Sequence, residues 1–186
     1  KVVANLPYYI TSPIIRKFLE NTETRPLSMI LMVQKEVGQR ICAKPPNMSL
    51  LAVSVQFYAE AKIVDYISKK SFWPSPKVDS AIIKITPHRA ALHQYLRYGT
   101  GLREQFFKIV RSGFSHPRKQ LLNNLSTGLS LPRPQVKNWL QKNKILPEQR
   151  AETLTIEDWI KLATQPTQLP KSLKLDKSDL GVVGLR

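Results

Sequence analysis

Asn5-Leu6-Pro7-Tyr8, preceded by Lys1-Val2-Val3-Ala4 and followed by Thr11-Ser12-Pro13, is the stretch on which the fold turns. Lys1–Ala4 is a short apolar run with β-branched residues, as at the end of a buried strand. Ser12 is placed to cap a helix whose first position is Pro13, where a missing N–H costs nothing. Asn5–Tyr8 therefore reads as a loop from the carboxyl end of a strand to a helix, the position at which open α/β sheets bind ligands.

The loop offers an amide oxygen, a carbonyl held ahead of a proline, and an aromatic ring. An exocyclic amine on a nucleobase is a poor nucleophile because its lone pair is delocalised into the ring. Asn5 Oδ1 and the Leu6 carbonyl can accept its two N–H groups, and Pro7 restricts Leu6 to extended geometry. Two such acceptors favour a pyramidal nitrogen with a lone pair free to attack, and Tyr8 can stack on the base. The same four residues also suit an ordinary Asn turn with a buried tyrosine, and alone they do not choose between the two.

The 186 residues are 42% apolar and contain no run long enough to cross a bilayer. No charged-then-apolar leader is visible, so a cytoplasmic protein is expected. The single Cys42 excludes an internal disulfide and a multi-cysteine metal site. His88, His93 and His116 show no ligand spacing, so no metal is expected. The net charge is +16. Residues 1–88 carry 12 basic and 6 acidic side chains, net +6, and residues 89–186 carry 17 and 7, net +10. An excess of this size, spread along the second half, points to a polyanionic partner.

The apolar patterning predicts a helix over Pro13–Glu20, a doubly buried strand over Leu27–Val33, a helix over Gln34–Ala43 ended by Pro45-Pro46, and a helix over Ser49–Ala59. Lys62–Ser68 and Val78–Thr86 read as strands able to pair antiparallel across Lys69–Lys77. That order is the second half of a doubly wound α/β sheet with an antiparallel edge. The connecting Phe72-Trp73-Pro74-Ser75-Pro76-Lys77-Val78-Asp79-Ser80 is stiffened by two prolines, so that Phe72 or Trp73 can wall a flat pocket. Residues 89–164 read as a separate small all-helical domain. Leu102, Phe106, Ile109, Val110 and Phe114 share one face, and Trp139 and Trp159 are core residues. Thr155 and Asp158 form a capping box. Residues 165–186 read as an extended polar tail.

These stretches occur together and in order: Asn5 to Pro13, then Met32-Val33-Gln34-Lys35-Glu36-Val37-Gly38-Gln39-Arg40-Ile41, then Phe72 to Ser80. So ordered, they resemble the ribosomal RNA small-subunit adenine N6,N6-dimethyltransferase family, to which the Erm methyltransferases are related. Phe107–Val110, Arg111, Phe114, Arg118-Lys119, Leu122–Leu125 and Arg150–Thr155 extend the resemblance to about Ala163, with His116-Pro117 departing from the family's Gln-Arg.

The resemblance implies transfer of methyl groups from S-adenosyl-L-methionine to N6 of two adjacent adenines in a small-subunit rRNA hairpin, within small-subunit biogenesis. It implies a Rossmann-like methyltransferase domain over 1–88 and a helical RNA-binding domain over 89–164. Asn5, Leu6, Pro7, Tyr8 and Phe72 would form the catalytic set. Asn5 would also touch the methyl donor, and Lys108, Arg111, Arg118 and Lys119 would grip RNA. The expected partner is small-subunit rRNA or a pre-30S-type particle, met by a monomer without membrane or metal. The family's glycine-rich donor loop is not visible among the 7 glycines. The chain opens at what resembles the fourth strand, so a fragment lacking the main donor-binding half is expected. A non-catalytic rRNA-binding assembly module of this fold, or a mitochondrial transcription-factor relative, would look similar.

Overall fold

The computed structural model describes residues 1–20, 25–88 and 100–165. Four strands form one sheet in the order β1 (Val2–Asn5), β2 (Met29–Gln34), β4 (Ser80–Pro87), β3 (Ala59–Ile67). β1 and β2 are parallel, Asn5 facing Met32, and β4 runs antiparallel to both its neighbours. Met29, Leu31, Val33, Ala81, Ile83 and Ile85 are fully buried. Against the sheet lie α1 (Thr11–Glu20), α2 (Lys35–Ile41) and α3 (Leu50–Gln56). Gly38 lets α2 approach: a Cβ there would crowd Ala81 and Ile83.

Three expectations are corrected. The strand expected over Leu27–Val33 with both faces buried runs from Met29 to Gln34 and alternates, with Ile30 exposed between the buried Met29 and Leu31. Ser12 does not cap a helix. A 3-10 turn over Tyr8–Ile10 feeds straight into α1, which begins at Thr11, and the Thr11 amide bonds to the Tyr8 carbonyl. The helix expected over Ser49–Ala59 stops at Gln56, because Ala59 already belongs to β3; Ser49 caps it, accepting from the Ala52 amide. The antiparallel pairing expected of the last two strands is present, with a bulge between Ile63 and Asp65.

The described residues from 100 to 165 are mainly helical: α4 (Thr100–Gly113), α5 (Leu121–Gly128), α6 (Arg133–Lys142) and α7 (Ile156–Thr164). Phe106, Ile109 and Val110 are buried along the expected face of α4, and Trp139 and Trp159 are buried too. Thr155 and Asp158 form the expected capping box. The helix closes at Gly113, ahead of His116-Pro117. The buried Asn124 fastens the turn by donating to the Gly113 carbonyl at 2.7 Å and the His116 carbonyl at 3.0 Å. The helices join the sheet through one continuous core, in which Phe57 stacks on Phe106 at 4.1 Å. Arg103 pairs with Glu20 at 3.0 Å, and the Met48 amide reaches the Glu152 carbonyl at 2.9 Å. His93 and the tail over 166–186 lie outside the described residues.

Gly113 packs so tightly under Trp159 that a Cβ would overlap the indole ring, whereas one at Gly101 would meet open space. Gly113→Ala should cost about 1–3 kcal/mol in urea unfolding, and Gly101→Ala should leave stability unchanged or raise it. Equal effects at the two sites would contradict this packing.

Candidate active site

The parallel pairing of β1 and β2 places Asn5 at the carboxyl edge of the sheet, one register step beyond Ala4 and Leu31. The Leu6 amide extends the ladder by donating to the Met32 carbonyl at 3.3 Å, and the Leu6 side chain is buried. Pro7 has φ −55° and ψ 132°, which turns the chain into the Tyr8–Ile10 turn. Asn5 is exposed. Among the described residues no hydrogen bond is made to its side chain or to the Leu6 carbonyl. Two neighbouring acceptors are thus held by the sheet and left uncommitted.

The second motif arrives at the same edge because β4 starts there. Gln34, the last residue of β2, faces Ser80, the first of β4. Ser80 is buried, and its hydroxyl lies 3.1 Å from that of the half-buried Tyr8. This contact joins two loops 72 residues apart. Next to it, Asp79 acts as a latch. Its carbonyl accepts from the Lys35 amide at 3.0 Å, and its carboxylate accepts from the Lys69 amide at 3.1 Å and meets Lys35 Nζ at 3.4 Å. Ser75 Oγ donates to the Lys69 carbonyl at 2.9 Å, closing the proline-containing loop on itself. Phe72 in that loop is half-buried, while Trp73 is 98% exposed. Of the two residues expected to wall a pocket, Phe72 stays against the protein and Trp73 faces solvent.

The basic residues expected to grip RNA lie elsewhere, on the last turns of α4 and the loop after it. Arg111, Arg118 and Lys119 are exposed, and Lys108 is half-buried. Arg111 Nε donates to the Phe107 carbonyl at 3.2 Å. Among the described residues no cluster of ligating side chains could hold a metal, and no helix is long and apolar enough to cross a membrane. Burial pushes the Cys42 thiol up to about 11, as for an inert packing residue.

Sequence reasoning quoted Ser80, Asp79 and Lys35 only as parts of motifs and missed their work as tether and latch. The one available signal was polar residues at the entry to a strand otherwise apolar on alternate positions.

A model of the family described as ribosomal RNA adenine dimethylase matches residues 1–168. The chain belongs to the ribosomal RNA adenine dimethylase family. Relatives named ribosomal RNA small subunit methyltransferase A include one from Dehalococcoides mccartyi, 44% identical over 91% of this chain and 56% of its own length. Another, from Fusobacterium nucleatum, is 42% identical over 87% of this chain and 60% of its own. The chain thus spans a little over half the length of the curated relatives it matches. A dimethyladenosine transferase from Plasmodium falciparum superposes with a TM-score of 0.65 at 26% identity, over 87% of this chain and 65% of the other. The 23S rRNA methyltransferase ErmE, at 22% identity and TM-score 0.63 over 88% and 63%, shares the fold.

The Lys69 amide, with Lys35 beside it, holds the Asp79 carboxyl below its ordinary value. A carboxyl so depressed steadies the folded loop at pH above about 4 and loses that contribution as pH falls through the lower folded value. The Lys69 amide shift followed by NMR should therefore titrate with a midpoint below the ordinary aspartate value, and Asp79→Asn should abolish the transition. A midpoint at or above the ordinary value would show that the latch is not formed.

Proposed function

We propose that this chain supplies the target-base face of an enzyme that dimethylates N6 of two adjacent adenines in a small-subunit rRNA hairpin. The observation that carries the reading is the pair of uncommitted acceptors, Asn5 Oδ1 and the Leu6 carbonyl, at the sheet's carboxyl edge in a member of this family. Each accepts one N–H of the adenine amine, which turns its lone pair outward. Tyr8, tethered at its hydroxyl by Ser80, keeps a fixed ring plane on which an unstacked adenine can lie. Phe72 closes the other side. No base of tuned pKa is needed, because the amine's proton becomes acidic once the nitrogen is alkylated. Orientation supplies most of the acceleration.

S-adenosyl-L-methionine is the methyl-donating substrate that the family implies. The exposed amide of Asn5 at the strand end suits a polar ligand, and Asn5 is the residue of this chain that would touch it. Residues 1–88 then act as part of the methyltransferase domain, and residues 89–164 as the RNA-gripping domain, with Lys108, Arg111, Arg118 and Lys119 neutralising phosphates. The full substrate is small-subunit rRNA or its assembling particle.

In the protein that carries this chain, Asn5→Ala should lower turnover by about 100-fold or more with RNA affinity unchanged. Methylation at the parent rate would mean that Asn5 is structural and that other groups orient the amine. Arg111→Gln with Arg118→Gln should reverse the pattern. RNA binding weakens, the slope of log affinity against log salt flattens by about 0.7–0.9 per lost contact, and turnover at saturating RNA holds. An unchanged slope would make the helical face an ordinary solvated surface.

A further inference from the structure

Trp73 is the most exposed large apolar side chain among the described residues, at 98%. The other two tryptophans, Trp139 and Trp159, are buried, so the protein otherwise uses indole as core. The loop does not need Trp73 to hold its shape. Phe72 is its half-buried apolar member. Its backbone is strapped by the Lys69 amide on Asp79, the Ser75 hydroxyl on the Lys69 carbonyl, and the Phe72 amide on the Lys69 carbonyl at 3.3 Å. A large ring held on a stiff loop loses little entropy when something stacks on it. The surroundings are cationic: Lys69, Lys70 and Lys77 are all exposed within the same loop. The loop's one carboxylate, Asp79, is already occupied by the Lys69 amide and Lys35. The far end of the loop is Ser80, the tether of Tyr8.

We propose that Trp73 is a stacking platform for an unpaired nucleobase flanking the target, with Lys69, Lys70 and Lys77 as a phosphate collar around it. The proposal rests on the RNA-directed reading above and adds a second contact to it, outside the pocket of Asn5, Tyr8 and Phe72. An indole face takes any base, so the platform fixes the position of the strand without reading its sequence, and the lysines track the backbone. The occupant is single-stranded RNA: a purely apolar protein partner would gain nothing from the three exposed lysines of this loop, and a duplex has no free base face to offer.

Because Trp73 is the one exposed tryptophan among the described residues, collisional quenching by acrylamide reports on it selectively. Saturation of the 186-residue chain with a single-stranded oligoadenylate of about ten nucleotides should reduce the quenching constant several-fold, and a blunt RNA duplex should not. Trp73→Ala should weaken oligoadenylate binding, read by anisotropy, on the order of 10-fold, while Trp73→Phe retains most of the affinity. Thermal unfolding of Trp73→Ala should match the parent, since the ring is outside the core. Lys69→Gln with Lys70→Gln and Lys77→Gln should flatten the salt slope by about 0.7 per contact. If the oligonucleotide binds but neither quenching nor the Trp73→Ala affinity changes, the platform is overturned and the RNA-directed reading stands. If the parent chain binds no RNA in any form, both fall together.

Discussion

Strand β4 lies between β2 and β3 and runs against both, and the position of the site follows from that insertion. Had the last strand been added at the edge in a parallel sense, Ser80 would start at the opposite end of the sheet from Asn5. Inserted antiparallel, it begins where β1 and β2 end. The Asn5–Tyr8 loop and the Phe72–Ser80 loop therefore meet, and the Tyr8–Ser80 hydroxyl contact closes the join. The buried Ile83 and Ile85 hold β4 there by packing against the helical layer, so the core and the site share one cause.

Much of this order was legible because the strands differ in kind. Leu27–Val33 is apolar on consecutive positions and so was legible as a strand, but the observed Met29–Gln34 alternates: Met29, Leu31 and Val33 are buried while Ile30 is 39% exposed, so burial on both faces did not follow. The capping box at Thr155 and the apolar face of α4 were legible for the same reason: each depends on side chains three or four positions apart. What escaped the sequence depends on tertiary neighbours. Helix α3 gives way to β3 through Phe57-Tyr58-Ala59 without a glycine or proline, at the point where Phe57 stacks on the distant Phe106. Ser12 lost its capping role to a preceding 3-10 turn, which no local pattern announced. The Tyr8–Ser80 contact spans 72 residues and leaves no trace in spacing.

The two motif loops and the basic helical segment differ in physical type. The loops hold polar acceptors and rings at fixed places, suited to one base. Arg111, Arg118 and Lys119 present exposed cations, the type of group that contacts phosphates without reading sequence. The shared core between sheet and helices, with Phe57 on Phe106 and Arg103 on Glu20, keeps the two at a set separation. On the proposed reading, a net charge of +16 would gather the polyanion while the neutral acceptors at Asn5 and Leu6 would select what reacts.

The central claim is that Asn5 and Leu6 together take both N–H groups of an adenine amine. A crystal structure of the protein that carries this chain, bound to an adenine-containing RNA and an unreactive methyl-donor analogue, tests it most directly. The account predicts N6 within about 2.7–3.2 Å of both Asn5 Oδ1 and the Leu6 carbonyl oxygen, with the base against the Tyr8 ring. An adenine seated with its amine on other groups, or a Leu6 carbonyl turned away from the base, would contradict it.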